Sequence, residues 1–317
     1  MIPVSLVRCP TYDPAAVQAG VDQALELIGG LPQFVRAGDR VLVKPNLLTA
    51  QSADNAATTH PQVLDALLAR LIDLGARPRV GDSPAFGWVA GVAAACGIAD
   101  VARKYDVPLV DFTQPVPVAG IRPEVRRQFM TDREVLDADV VINVAKLKSH
   151  RQLGFTGATK NLYGCMPGKR KAYFHFERGN RDEDFARLIA SFAYSIPVHL
   201  NLLDAVVAME RDGPAGGDPR PVCALIAGTD PAAVDAVAAA LIHHPPGDRL
   251  LLNACRELRL GSPQMDTIEL RGASIPELEV ADFIHPLLVG VRFSPGRLVR
   301  SVWRNHLITR WGVDPRR

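Results

Sequence analysis

Lysines and histidines gather in the middle of this chain. Between Val144 and Arg178, eight Lys/Arg residues stand against one acid, Glu177, giving a local charge of +7 with histidine neutral. Lys146, Lys148, His150, Lys160 and His175 lie in this segment with Thr156, Asn161 and four glycines. Glycine lets backbone N–H groups approach a ligand closely, and converging ammonium groups attract phosphate or carboxylate. The segment therefore reads as an anion-binding loop. Its spacing is not that of a Walker A loop, which requires G-x-x-x-x-G-K-[ST]. A solvated lysine face is the plain alternative for any charge run, but the interleaved glycines and threonines favour the ligand loop. Histidine alone has an unperturbed pKa near neutrality, so His150 and His175 are the candidates for proton transfer.

Three smaller constellations flank that segment. Lys44-Pro45-Asn46 follows the apolar run Val41 to Val43, and Gly81-Asp82-Ser83-Pro84 follows Arg79-Val80. Open α/β sheets bind ligands beyond the carboxyl ends of their strands, which places Lys44, Asn46, Asp82 and Ser83 to meet an anion. Each also has a structural use: Pro45 and Asn46 can end a strand in a turn, and Ser83-Pro84 suits a helix start. The third constellation holds Asp204, then Glu210 and Asp212 beside Gly213-Pro214 and Gly216-Gly217, then Asp230-Pro231. Asp204 and Glu210 are candidate partner carboxylates for the histidines, with cation binding and ion pairing as alternatives. Asp230 reads as the cap of a helix starting at Pro231. The pattern assigns no metal.

Such residues need a sheet to place them. Short β-branched runs (Val4 to Val7, Arg40 to Lys44, Arg77 to Val80) alternate with Ala/Leu-rich stretches (Asp13 to Ile28, His60 to Leu74), the order of βαβα units. Continuous apolar runs such as Val140-Val141-Ile142 fit strands covered on both faces. The expectation is an α/β protein with a doubly wound, mostly parallel sheet. A helix over Asp182 to Tyr194, strands near Leu200 to Val206 and Val222 to Ile226, and a helix over Pro231 to Ile242 continue the pattern. Because 144–178 shows neither helical nor strand period, it is expected to be a long glycine-containing loop. Residues 1–284 then form one domain, with lobes 1–143 and 182–284 conceivable around the loop 144–181.

Composition bounds the function. The chain has 317 residues, 48% hydrophobic and 22% charged, which excludes disorder over most of its length. A net charge of +2, from 36 basic and 34 acidic residues, gives no uniform field for a nucleic-acid binder. Cysteines 9, 96, 165, 223 and 255 form no C-x-x-C pair, so no iron-sulfur cluster is expected and reduced thiols of a cytoplasmic protein are. Met1 to Pro10 lacks the character of a signal peptide, and the longest apolar runs reach half a membrane span. From His285 to Arg317, seven arginines face one acid. Over Pro295 to Trp311, Leu298, Val302, Ile308 and Trp311 alternate with arginines as in an amphipathic helix, which would pack on the body or touch an anionic membrane or protein.

Seven motifs stand in one order across about 190 residues: V-K-P-N-L at 43–47, T-T-H-P at 58–61, G-D-S-P at 81–84, A-K-L-K-S-H at 145–150, T-G-A-T-K-N-L-Y-G at 156–164, D-G-P-A-G-G at 212–217 and A-G-T-D-P-A-A-V-D at 227–235. Together they resemble the domain-of-unknown-function 362 (DUF362) family, roughly over Leu42 to Ile268. The resemblance implies an α/β protein of bacteria or archaea, in a family where many members carry a ferredoxin-type module. This chain supplies no such module, and Arg211 stands where the family tends to have glycine. A second similarity, through Lys160, Pro167-Gly168 and His175, is to lactate racemases. It implies that Lys160 and His175 would hold a nickel-pincer nicotinic acid cofactor; the cofactor otherwise remains unknown.

These readings converge on an enzyme, an oxidoreductase or isomerase among the options, acting on a small anionic or phosphorylated metabolite. The alternative is a non-catalytic accessory protein whose basic loop and tail dock an acidic partner or an anionic membrane.

Overall fold

The computed structural model describes residues 1–289 except Phe86, Lys169, Gly179, Asn180 and the side chain of Phe176. The expected alternation begins at once: β1 (Ile2–Arg8), α1 (Pro14–Glu26), β2 (Arg40–Pro45), α2 (Pro61–Asp73) and β3 (Arg77–Asp82). Then come α3 (Val89–Cys96), α4 (Ile98–Lys104), β4 (Leu109–Asp111), the hairpin β5 (Pro115–Ala119) and β6 (Gln128–Asp132), and α5 (Arg133–Asp137). The middle holds β7 (Val140–His150), β8 (Gly154–Thr156), α6 (Ala158–Leu162), α7 (Arg170–Arg178) and α8 (Asp182–Ala193). The chain continues through β9 (Leu200–Glu210), β10 (Asp218–Gly228), α9 (Pro231–Leu241), α10 (Leu250–Glu257), β11 (Ile268–Gly272) and α11 (Ile275–Leu278).

One sheet runs β11-β1-β10-β9-β7-β2-β3-β4, with β8 hairpinned onto β7. The pairs β3–β4, β2–β3, β2–β7, β7–β9 and β1–β11 are parallel, whereas β1–β10, β9–β10 and β7–β8 are antiparallel. The first strand thus lies between the last two, and residues from both 1–143 and 182–284 build this sheet. Successive strand residues point to opposite faces. Accordingly Val140, Ile142 and Val144 pack with α1 and α2, while Val141, Ala145 and Leu147 pack with α6, α8 and α9. Helices cover both faces, the doubly wound, mostly parallel arrangement the apolar runs require.

The basic segment departs from expectation. Instead of an irregular loop it forms β7, β8, α6 and α7. Its strand period was present in Ala145-Lys146-Leu147-Lys148-Ser149-His150, but lysine and histidine occupy the face where apolar residues would signal burial. Lys146 and Lys148 are nevertheless buried, at 1% and 2% exposure. The helix α3 begins at Val89, so Ser83 caps no helix, while Asp230 does cap α9 by accepting the Ala232 and Ala233 N–H groups. Among the described residues no helix is long and apolar enough to cross a membrane. The proposed amphipathic helix over Pro295 to Trp311 lies outside the described residues.

Candidate anion site at the strand ends

Parallel strands bring their carboxyl ends to one edge, and four of them deliver charged side chains there. Lys44 sits near the end of β2 and Asp82 closes β3; their Lys44 Nζ–Asp82 Oδ1 ion pair is 2.8 Å long with side-chain exposures of 0% and 6%. Asp82 also accepts the backbone N–H of Leu47 and of Ser83, both at 2.8 Å. A buried carboxylate with this many donors is fixed in place. Next along the edge, Lys146 on β7 meets Asp204, its register partner on β9, at 2.9 Å. Tyr12 completes that second node: its hydroxyl donates to Asp204 Oδ1 at 2.8 Å and accepts from Lys146 Nζ at 2.7 Å. The His60 ring stacks on Tyr12 with centroids 3.5 Å apart.

A chain of four asparagines ties these nodes together. Lys148 Nζ donates to Asn46 Oδ1 at 2.9 Å, and Asn46 Nδ2 donates to Asn161 Oδ1, also at 2.9 Å. Asn161 Nδ2 donates to Asn143 Oδ1, and Asn143 Nδ2 to Asn201 Oδ1, each at 2.8 Å. Asn201 then donates to the Gly228 and Thr229 carbonyls. Every amide carbonyl in the chain points back toward the lysines, and Lys44 Nζ donates to Asn161 Oδ1 at 3.3 Å. Aligned dipoles of this kind polarise one another and favour the ammonium forms.

The glycines of the T-G-A-T-K-N-L-Y-G stretch have steric reasons. A Cβ on Gly157 would lie 2.2 Å from Asp235 Oδ1. Glycine there lets the buried Asp235 accept the Ala158 and Thr159 N–H groups at the start of α6, at 2.6 and 3.0 Å. Burial pushes the Asp235 carboxyl up to about 7. At the other end, a Cβ on Gly164 would meet Asp82 Oδ1 at 2.5 Å and Lys44 Nζ at 2.8 Å. Thus α6 is pinned above the Lys44–Asp82 pair, with Asn161 facing inward and Lys160 at its rim.

Lys160 differs from its neighbours. Its side chain stays partly accessible. Its Nζ stands 4.8 Å from the Tyr163 ring centre, and among the described residues it has no hydrogen-bond or carboxylate partner. Burial, followed by the charges of Lys171 and Lys44, lowers its pKa to about 7. Lys171, on α7, donates to the Ser83 carbonyl and is lowered to about 8 by burial. Burial, followed by the charge of Lys160, depresses the histidines: His175 falls to about 3, and His150 falls well below its usual range. Both imidazoles are therefore neutral at pH 7. The His150 Nδ1 accepts the N–H groups of Gln152 and Leu153, both at 3.2 Å. The His175 ring packs 4.3 Å from that of Phe185 and 5.9 Å from that of Tyr163. Lys148, desolvated beside Lys160 and Lys146, is likewise pushed well down.

The structure thus gathers Lys44, Asn46, Asp82, Ser83, Lys148, His150, Lys160, Asn161 and His175. Thr156 is buried beside them on β8, its hydroxyl donating to the Lys148 carbonyl at 3.4 Å. Two expected partners stand apart from the histidines. Asp204 belongs to the Lys146–Tyr12 node. Glu210, at the end of β9, accepts the Ile284 N–H at 3.0 Å and so holds the C-terminal segment against the sheet. Nearby Arg211 has φ of 62°, the left-handed region where glycine is unstrained. Gly213 packs on β7: a Cβ there would lie 1.9 Å from the Ser149 carbonyl oxygen.

Sequence reading missed Tyr12, His60, Asn143, Asn201 and Lys171. Asn143 and Asn201 did carry a signal, a lone amide inside an apolar strand run. His60 stood inside the T-T-H-P motif without being singled out, and Tyr12 carried no signal, because its role depends on loops that meet only in the folded chain. The five cysteines are free thiols, four of them buried. Among the described residues no three His, Cys, Asp or Glu side chains converge to hold a metal ion.

Comparison with known proteins places the chain. It is 36% identical over 313 residues to a thylakoid-associated protein of Synechocystis sp., covering 98% of this chain and 96% of that one. Among solved structures, the lactate racemase apoprotein from Thermoanaerobacterium thermosaccharolyticum aligns with a TM-score of 0.45 and 14% identity. That alignment covers 72% of this chain, which spans about half (54%) of the racemase chain. The family model for a domain of unknown function (DUF362) matches residues 41–240, the stretch from β2 to α9 that carries the strand-end lysines and α6. With that match and a full-length relative, this chain belongs to the DUF362 family.

Proposed function

We propose that this protein is a cytoplasmic enzyme acting on a small anionic metabolite, a carboxylate or phosphorylated compound. The ligand would lie between the strand ends, at Lys44, Asn46 and Asp82, and the rim formed by Lys160 and Lys171. One observation carries this reading: Lys44, Lys148, Lys160 and Lys171 act on one another electrostatically around a single carboxylate, Asp82, which Lys44 already engages. Like charges held together in a desolvated site repel, and a bound anion relieves that repulsion. His150 and His175, neutral beside Lys160 and depressed as bases, are suited to hydrogen-bond the ligand rather than to take a proton from it in the ligand-free charge state. Inward-facing lysines do not suit docking of a large acidic partner, which would need them on an exposed face.

Thermal unfolding with oxalate, inorganic phosphate and nucleotides tests the reading. At least one anion should stabilise the protein, by about 2.7 kcal/mol at a hundredfold excess over its dissociation constant. Lys160→Ala should keep a cooperative melt and lose that response. Absence of any stabilising anion would sink the proposal.

A second reading concerns attachment rather than chemistry. Leu287, Leu288 and Val289 are 85%, 37% and 43% exposed, and the sequence continues with seven arginines from Arg292 to Arg317. Exposed apolar residues beside basic ones favour an anionic lipid surface, and the relative from Synechocystis is described as thylakoid-associated. Salt-sensitive sedimentation with anionic vesicles, abolished by truncation after Val289, is the expected result; sedimentation unchanged by truncation removes the tail from the reading.

A further inference from the structure

Four of the five lysines described at the strand ends are tied to acceptors. Lys44 holds Asp82 and Asn161, Lys146 holds Asp204 and Tyr12, Lys148 holds Asn46 and the Ala57 carbonyl, and Lys171 holds the Ser83 carbonyl. A lysine that donates to fixed acceptors is held in place by them and is not free to reach a ligand. Lys160 has no such acceptor among the described residues, keeps part of its surface open, and faces an aromatic ring instead. It is thus the amine placed to move and meet a ligand.

We infer that Lys160 is a nucleophile that condenses with the carbonyl carbon of a small 2-oxo acid to form an imine. This rests on the anion-site reading and extends it from binding to covalent chemistry. The neighbourhood supplies each requirement. Burial and adjacent cations leave about half of Lys160 as free amine at neutral pH, the activation used wherever a lysine is desolvated beside another cation. Lys171 and Lys44, the cations that act most strongly on Lys160, are placed to attract the carboxylate adjoining the reactive carbonyl. His150 and His175 stand within electrostatic range of Lys160, and the protons of the step are carried by Lys160 itself and by solvent.

The step balances without an oxidant or reductant. The Nζ lone pair forms the N–C bond while the carbonyl π pair moves to oxygen, which takes the proton released from nitrogen. A second proton on the resulting hydroxyl lets it leave as water when the nitrogen lone pair closes the C=N bond. The sum is ammonium plus ketone giving iminium plus water.

Reductive trapping tests this on the full chain. Glyoxylate, the smallest 2-oxo acid, is added at pH 7 with cyanoborohydride, and N-carboxymethyl-lysine is mapped by peptide mass spectrometry at early times. Lys104 is the internal reference, because it is exposed and its pairing with Asp65 raises its pKa. Lys160 should be modified at least about tenfold faster than Lys104, since each pKa unit removes a factor of ten in free amine. Equal labelling of the two, or preferential labelling of Lys171, would overturn the inference. Lys160→Arg should abolish the adduct at this position. If oxalate stabilises the parent but Lys160 is not trapped, the anion site stands and the nucleophile falls. If oxalate fails to stabilise the parent and no adduct forms, both fall. Parent selectivity is read within one molecule and does not depend on the variant folding.

Discussion

Raising the pH should weaken anion binding through Lys160. Its pKa of about 7 in the ligand-free site means that it is almost fully charged at pH 6 and about one part in a hundred charged at pH 9. A dianion that needs the ammonium then binds roughly 100-fold more weakly at pH 9, a loss of about 2.7 kcal/mol in affinity. At an oxalate concentration near a hundred times the pH 6 dissociation constant, stabilisation falls from about 2.7 to about 0.4 kcal/mol. Oxalate is the suitable probe because its charge is constant over this range, and chloride at matched ionic strength removes the general salt effect. The sign for the ligand-free protein is opposite. The folded pKa lies below the unfolded value of 10.5, so the unfolded chain binds more protons between pH 7 and 10.5, and this group adds stability as pH rises through that window. Lys160→Arg stays charged throughout, so its oxalate response should be flatter than the parent's. Lys171, lowered to about 8, titrates in both proteins, and the difference between the two profiles isolates Lys160. Identical slopes in parent and variant would refute the assignment.

The Lys44–Asp82 pair should matter more to stability broken than deleted. Asp82→Ala leaves an unpaired buried ammonium and should lower unfolding free energy by about 3–5 kcal/mol in urea, whereas Lys44→Met with Asp82→Leu should recover most of it; a single-variant loss below about 1 kcal/mol counts against a buried charge pair. Asn143→Leu keeps the volume but strips a donor from Asn201 Oδ1 and from the Ala158 carbonyl. It should lose about 1–3 kcal/mol for each acceptor left unsatisfied, with a weakened oxalate response because Asn161 loses its support. An unchanged urea midpoint would show that the amide chain carries no tension between strand and helix.

How much of this was readable in the chain follows from what each signal depends on. Val41 to Val43 and Val140 to Ile142 announced buried parallel strands because burial on both faces leaves a purely apolar run, a property of adjacent residues. Asp230-Pro231 announced a helix start for the same local reason. Lys44, Asp82, Lys148 and Lys160 could be chosen because charge beside strand ends and glycine turns is unusual for simple packing. Other features were settled only by assembly. Lys146, Lys148 and His150 alternate along β7 on a face that the sequence marks as polar, and only the sheet, loops and helices around it bury the two lysines and half-bury the histidine. Asp204 and Glu210 look alike in sequence, yet the β7–β9 register pairs one with Lys146 while the strand end gives the other to Ile284. Tyr12, Asn143 and Asn201 joined the site through partners far away in the chain. Secondary structure follows from short-range periodicity, but charge pairing depends on which strand ends become neighbours, and that is fixed by the order β9-β7-β2-β3 in the sheet rather than by any spacing along the chain.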